Sequence, residues 1–579
     1  MDNSRVAAVF EELADRLELL GDSPFKVRAY RAFAAGIRVL VEPIEDIAAR
    51  DELIEMPGVG KAITKKVESL VATGTFPALE KARAETPSGL LEVLKIPGLG
   101  PKLVRVVWQE AAVTNLPELL RACEEDRLAK LPSIGQKKQA RILSAVKILL
   151  EGGGGVLLAL ALDGARIMIT ALEEAGAKRV AVVGEARRGL EIVHELVLIV
   201  DGLTVSQIAK CLKKSDDELL LEGLVESAGE VAVTLQARGR ARLYPVAHAA
   251  WVTELLTRTG DAAHLSWLED RAEKKGGLRK VAQGARSEKE VYEALDLPFI
   301  PPELREGPCP LVPADLVDDG AVRGVFHVHT DWSDGVATIV VMAQAAAKAG
   351  NTYVGISDHS QAASYANGLT ALRLKEQALA MVAARKEVPE ITILHGVEVD
   401  ILADGTLDLP DECLESLDFV IASVHTKFNM SMPDMTARII RAISHPLVTI
   451  LGHPTGRLLL GRKGYVFDLE KVAKAAVAND AYLEINANPH RLDLAPPMVR
   501  KAAELGARFV INPDAHAARG FDDTRLGVTV ARRAGVNRDL VLNTLDRDEI
   551  VSLLALRKKR AKKRLAGFHG SGLRSGSTN

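Results

Sequence analysis

His327-Val-His329 places two imidazoles two positions apart, and Ser333-Asp334-Gly335 follows closely. On a strand, side chains two apart share a face, so both rings point the same way. Asp358-His359 comes next, at the end of TYVGIS. Glu398 follows in GVEVD, His425 in SVHTK, His453 in LGHPTGR, and Asp514 with His516 in INPDAHA. Each stands just after an apolar, strand-like run. An isolated histidine is ordinarily a satisfied polar side chain. Nine imidazoles and carboxylates at successive run ends (His327, His329, Asp334, His359, Glu398, His425, His453, Asp514 and His516) form a pattern that packing alone does not require. Nitrogen and oxygen donors with no cysteine among them suit a hydrolytic site for two or three divalent ions, Mn or Zn, rather than a structural zinc. Such a site activates water near neutral pH and offsets charge developing on oxygen.

The runs GVFHVHT, TYVGIS, ITILHGVEV, DFVIAS, VTILGH, AYLEINA and RFVINPDAH alternate with helical stretches over residues 322–556. Polar residues at the ends of such runs point to a distorted parallel β/α barrel with its site at the C-terminal mouth. The rest of the chain divides by composition. Residues 1–150 read as short helices and end at the glycine run Gly152–Gly155. Residues 156–300 mix helices with the strand-like runs VAVVG, LVLIV and VAVTL. A proline-rich linker occupies 301–321. The stretch RKKRAKKR opens a basic, flexible tail over 557–579. The expected architecture is multidomain, α followed by α/β.

An internal repeat marks the first unit. Ile54-Glu-Met-Pro-Gly58-Val-Gly60-Lys61 recurs as Leu94-Lys-Ile-Pro-Gly98-Leu-Gly100-Pro-Lys102, with a weaker copy in Leu131-Pro-Ser-Ile-Gly135-Gln-Lys137-Lys138. Glycines let the turn adopt positive φ, and the amides then face outward beside a helix N-terminus, an arrangement suited to phosphate. Lys61, Lys65, Lys66, Lys102, Lys137 and Lys138 stand next to these turns. Residues 1–150 hold 22 basic and 21 acidic residues, a net of +1. Attraction to DNA must therefore be local, modest and strongly salt-dependent. No sequence reading is expected from backbone contacts.

The whole chain of 579 residues carries 74 basic and 77 acidic side chains, a net of −3, so it is not a polycation. Its length suits about four domains. Apolar residues make up 47%, enough for several cores. Cys123, Cys211, Cys309 and Cys413 are far apart and form no disulfide framework. The acidic amphipathic start is not a signal peptide, and no apolar run is long enough to span a membrane. A cytoplasmic, monomeric protein is expected.

The hairpin copies resemble the helix-hairpin-helix of DNA repair enzymes. Together with Pro24-Phe-Lys-Val-Arg-Ala-Tyr-Arg31, the first unit looks like the N-terminal domain of family X DNA polymerases. In some members that domain removes a 5′-deoxyribose phosphate through a lysine Schiff base, and Lys66 is the matching position. A plain phosphate contact is the reading preferred for it. Val182-Val-Gly184-Glu185-Ala-Arg187-Arg188-Gly189-Leu-Glu191 and Thr257-Arg-Thr-Gly-Asp-Ala-Ala-His264 are similar to the family's nucleotide motifs. Nucleotidyl transfer needs two metals held by three aspartates. By the motif spacing those positions are Glu195, Val197 and Arg242, and the motif serine is Glu185. The resemblance thus implies a polymerase-beta-like nucleotidyltransferase fold without polymerase activity. Gly184, Arg187 and Arg188 are left as weak ligands for a nucleotide or phosphate.

From His327 onward the chain resembles the PHP (polymerase and histidinol phosphatase) family, whose trinuclear metal cluster hydrolyses phosphoesters. Met435-Thr-Ala-Arg438, Gly452-His-Pro-Thr-Gly-Arg457 and Leu483-Glu-Ile-Asn486-Ala-Asn-Pro-His-Arg-Leu-Asp493-Leu are similar to the version fused to bacterial family X polymerases, a Mn-dependent 3′–5′ exonuclease. The resemblance groups His327, His329, Glu398 and Asp514 on one metal. It groups Glu398, His425 and His453 on a second, and Asp334, His359 and His516 on a third. Glu398 and Asp514 are then central to catalysis. Arg457 is either a phosphate contact or a structural ion pair. Phe326 stands where the family often has a polar residue, with no ligand lost. The expected partner is gapped, nicked or primer-template DNA, in DNA repair. The rivals are a working gap-filling polymerase with unusual ligands, a small-molecule phosphatase of the histidinol-phosphate type, and a non-catalytic DNA-bridging protein.

Overall fold

A computed structural model of the chain describes residues 3–571 except 39–43, 51, 57–58, 95, 97, 132, 152–154, 216–218, 220, 236–237 and 310–311. Gly58 and most of the Gly152–Gly155 run lie outside the described residues.

The N-terminal helices bury two separate cores. Asn3–Leu20, Pro24–Arg38, Lys61–Thr73 and Pro77–Glu85 close around Phe10, whose ring meets Phe33 edge-on at 4.6 Å. Pro101–Ala111, Leu116–Glu124 and Gln136–Glu151 close around Val104, Val107, Leu119 and Val146. Gly60, Gly100 and Gly135 each stand immediately before a helix. Gly98 takes φ +86°, which a side chain would resist, and in the third copy Ser133 adopts φ +70°.

The middle unit is a mixed sheet ordered Arg179–Val183, Leu196–Asp201, Gly239–Val246, Glu230–Leu235, Leu221–Ser227. Leu196–Asp201 and Gly239–Val246 run parallel, with Val197 opposite Arg242. Pro302–Leu304 and Arg305 pack into the adjoining helical core, where Arg305 is fully buried. The expected linker is therefore folded over this stretch, because its arginine has a buried acidic partner in Glu288 at 2.5 Å.

Among the described residues, seven parallel strand positions follow in chain order: Gly324–Val325, Tyr353–Ile356, Thr392–His395 with its continuation Glu398–Asp400, Ile421–Ser423, Ile450–Leu451, Tyr482–Asn486 and Phe509–Asn512. A bridge from Val328 to Ala515 closes the ring. Phe326, Tyr353 and Phe419 plug one end, with Phe326 meeting Phe419 edge-on at 5.2 Å. Phe326 is thus a core residue of the barrel floor. The final helix, Arg547–Ser571, includes the whole RKKRAKKR stretch. This described part of the expected tail is docked helix: Leu554, Ala561 and Leu565 are buried, and Arg557 reaches Asp480 at 2.5 Å, while residues 572–579 lie outside the described residues. Apolar residues spaced by helical turns dock this basic segment on the barrel.

Candidate metal centre

The polar ends of the barrel strands converge opposite the aromatic plug. Glu398 is the hub. Its Oε2 lies 3.3 Å from His327 Nε2, 3.6 Å from His329 Nε2 and 2.8 Å from His359 Nδ1. Its Oε1 lies 2.9 Å from His453 Nε2 and 3.3 Å from His425 Nε2. Asp514 Oδ1 is 3.5 Å from His327 Nε2 and 3.3 Å from His329 Nε2. Asp334 faces His516 at 3.4 Å, His359 at 3.6 Å and His329 at 3.7 Å. All nine side chains anticipated from sequence therefore meet at one mouth.

Four overlapping groups have ligand atoms within 4.8 Å of one another. They are His329, Asp334, His359 and His516; His327, His453 and Asp514; His327, His329 and Glu398; and His359, Glu398 and His425. His359 and His453 stand at the junctions between the three expected sets, each touching Glu398 as well as a neighbouring set.

The donor atoms fit divalent cations. His327 Nε2, both ring nitrogens of His329, His359 Nδ1, Glu398 Oε2, His425 Nε2 and His453 Nδ1 are buried without a hydrogen-bond partner. Buried polar atoms are normally satisfied, and so many orphans aimed at one space mark a ligand set. Asp514 and His453 hold φ of 52° and 22°. Non-glycine residues there cost about 1–3 kcal/mol each and persist where the surroundings over-determine them.

Electrostatics without cations shows how strongly the groups lean on one another. Burial opposes charge on Glu398, but His327, His359 and His425 hold its carboxyl well below the usual range. Burial likewise opposes charge on His327, but Glu484, Glu398 and Asp514 raise it well above an ordinary imidazole. For His329, burial and then the charges of His516 and His359 press it down to about 3.

A further ring of groups aims the ligands, and sequence reasoning assigned it no role. His327 Nδ1 donates to Glu484 Oε1 at 2.7 Å, which leaves Nε2 as the free donor atom. His425 Nδ1 pairs with Asp400 Oδ1 at 2.5 Å. Asp358 Oδ1 accepts from Thr330 N at 2.8 Å and Ser333 Oγ at 2.5 Å, and its Oδ2 accepts from Gln377 at 2.7 Å. A signal existed: a glutamate inside the apolar run AYLEINA must be paired if the strand is buried.

Arg457 does not face the ligands. Its Nη2 pairs with Glu191 of the middle unit at 2.5 Å and also bonds Leu492 O, while Nε donates to Arg491 O at 2.9 Å. Of its two expected roles the structure shows the ion pair. The guanidinium at the ligands is that of Arg491, with Nε 3.3 Å from Asp514 Oδ2.

The middle unit brings Glu195, Val197 and Arg242 together. Arg242 bonds Glu195 at 2.8 Å and Glu230 at 3.0 Å, and a Cβ on Gly184 would lie 3.6 Å from Val197. Arg242 thus places its own positive charge at this spot. Arg187 bonds Glu288 at 2.7 Å and Thr259 at 2.7 Å, and Arg188 donates to Thr259 O at 2.7 Å. Both guanidinium groups thus have internal partners, which a bound anion would have to share or displace. In the helical hairpins Lys61, Lys65, Lys102 and Lys137 are exposed, and Lys138 is half-buried. Lys66 Nζ sits 5.6 Å from the Tyr30 ring centroid and donates to Ala62 O.

Residues 1–76 match the helix-hairpin-helix domain family, 90–147 the SAM-like helix-hairpin-helix tandem, 254–306 the DNA polymerase beta thumb and 326–488 the PHP domain. The last range stops before Asp514 and His516, which the following strand adds to the site. A relative from Bacillus subtilis (strain 168), named DNA polymerase/3′-5′ exonuclease PolX, is 32% identical over 96% of this chain and 99% of its own length. A probable phosphatase of Thermoanaerobacter sp. (strain X514) is 33% identical over 34% of this chain and 86% of its own. One of Vibrio parahaemolyticus is 31% identical over 29% and 70%.

Proposed function

The chain belongs to the bacterial family X DNA polymerases that join helix-hairpin-helix, polymerase-beta-like and PHP domains, and from this we propose that it is a metal-dependent 3′–5′ exonuclease whose polymerase site is catalytically silent. The observation that carries the reading is the mouth of orphaned buried ligand atoms around Glu398. Among the described residues nothing comparable stands in the middle unit, where Arg242 pairs with Glu195 and Glu230.

His327, His329, Glu398 and Asp514 would hold one cation, Glu398, His425 and His453 a second, and Asp334, His359 and His516 a third. The donor set suits Mn or Zn. When bound, divalent cations lower the pKa of water and offset the charge of a phosphodiester under attack. Glu484 and Asp400 hold the His327 and His425 rings with Nε2 turned inward. Arg491, beside Asp514, is placed to receive a non-bridging phosphate oxygen. The hairpin lysines hold the DNA backbone, and Lys66 serves there as one more contact. The helical hairpin, middle and barrel units divide this labour, and no helix among the described residues is long and apolar enough to cross a membrane.

The test is a labelled primer-template with Mn and nucleotides. Shortening of the wild-type strand is expected, with loss of cleavage in His327→Ala and Glu398→Ala and DNA binding kept within about twofold. Retained cleavage in both variants refutes the site. Extension supports the gap-filling polymerase instead. Hydrolysis of small phosphomonoesters with no action on DNA supports a phosphatase. DNA binding without any hydrolysis, unaltered by chelation, supports a bridging protein.

A further inference from the structure

Tyr365 is 71% exposed, yet its ring centroid lies 6.3 Å from that of His359 at the mouth of the ligand cluster. A single exposed aromatic is ordinary on a protein surface. This one differs in two respects: it stands beside the cluster, and the loop that carries it is braced on every side.

Both feet of the loop are tied to the site. Ser360 N donates to Glu398 O at 3.0 Å, and Leu369 N donates to His359 O at 2.7 Å. Ala363, Ala366 and Leu369 are buried, which turns Tyr365 outward on the same short turn. Ala362 N donates to Asp408 at 2.6 Å. Arg373 spans the outer side, donating to Asn367 O and Trp332 O at 2.6 Å each. At Gly368 a Cβ would lie 1.9 Å from Ser360 O, so the two arms of the loop touch backbone to backbone. The backbone that carries the phenol is thus held by these contacts, and the ring itself stays largely exposed beside His359.

A base presents a π-face whatever its identity, and stacking on an aromatic ring is the sequence-tolerant way to hold it. The phosphate to be cut must sit among the ligands, and the base attached to that nucleotide must then lie just outside them. We propose that Tyr365 is the stacking platform for the 3′-terminal base of the DNA strand, so that the enzyme takes a frayed or single-stranded 3′ end with its last base unstacked from the duplex. This rests on the exonuclease reading above and deepens it. Because the loop beneath the ring is already held, stacking costs little ordering of the backbone.

The experiment compares wild type, Tyr365→Ala, Tyr365→Phe and Tyr365→Trp on two Mn-containing single-stranded oligonucleotide substrates. One ends in an ordinary nucleotide, and the other ends in a tetrahydrofuran residue that lacks a base. Tyr365→Ala should lose roughly 5- to 100-fold in kcat/KM on the ordinary end. On the baseless end the wild type should already be slow, and the alanine loss should shrink to under about threefold. Phe and Trp should restore the ordinary rate. An equal alanine loss on both ends, or none on either, overturns the stacking role. A wild type inactive on both ends overturns the exonuclease reading instead, so the two failures are told apart. The exposed position lets alanine be tolerated, and an unchanged thermal midpoint checks that.

Discussion

Glu484→Gln should be one of the most damaging single-atom changes outside the ligand set. The carboxylate is fully buried and all its acceptor capacity is used. Oε1 accepts from His327 Nδ1 at 2.7 Å and Asn512 Nδ2 at 2.9 Å. Oε2 accepts from His453 N at 2.6 Å and Asn486 Nδ2 at 3.0 Å. A glutamine keeps the shape but must turn an NH2 toward one of these pairs. Facing His327 and Asn512, it forces the imidazole to carry its proton on Nε2, the atom that should ligate. Facing His453 N and Asn486, it sets donors against donors. Either way two of these buried pairings are lost, at about 1–3 kcal/mol each, so stability should fall by about 2–6 kcal/mol. Metal affinity should fall about 10- to 100-fold, as is usual when the partner of a ligating histidine is changed. The assay is nuclease rate against Mn concentration, with denaturant unfolding of the metal-free protein alongside. A right-shifted Mn curve whose plateau largely recovers is expected. An unchanged Mn midpoint together with unchanged stability would refute the argument that Glu484 fixes the His327 tautomer.

The triple variant Lys61→Ala, Lys66→Ala and Lys102→Ala should lower the slope of log affinity against log salt by about three, near one per phosphate contact; an unchanged slope moves DNA binding to the basic helix at 557–564 or to the barrel mouth. Template-directed incorporation should be absent with Mg or Mn, because Arg242 brings its own positive charge to Glu195 and Val197; extension by the unmodified protein on a nuclease-resistant primer overturns this. Slow extension after Glu195→Asp, Val197→Asp and Arg242→Asp would identify these positions as the lost metal site. Glu191→Gln removes the carboxylate of the ion pair to Arg457, whose partly buried 2.5 Å contact joins the middle unit to the barrel loop bearing Arg457, which in turn bonds Arg491 O. Thermal unfolding should show a loss of about 1–3 kcal/mol, and no loss would mean that the two units are held by other contacts alone.

The ligand set was legible in the chain because a parallel barrel ties chemistry to a local signal. Each strand ends at the same mouth, so a polar residue at the end of an apolar run is a statement about three dimensions. The pairs that aim those ligands were not legible. Glu484 lies 157 residues from His327, and only strand order brings the two within 2.7 Å. Arg457 and Arg491 show the same limit more sharply. Both are arginines in polar loops near the site, and composition treats them alike. The fold turns one to Glu191 in another unit and the other to Asp514, because a guanidinium goes to whichever carboxylate its loop can reach. Gly98 and the hairpin repeat could be read from sequence, since positive φ has a local cost that glycine relieves. The basic stretch 557–564 reads as a flexible tail from its charge, yet it is helical and docked, because the buried Leu554, Ala561 and Leu565 lie at helical spacing around it. The chain by itself thus marked which nine side chains meet at the barrel mouth. Tertiary structure alone decided which buried carboxylate orients each ring and where each arginine is held, since those choices depend on contacts between separate elements, 157 positions apart for Glu484 and His327 and 266 for Glu191 and Arg457.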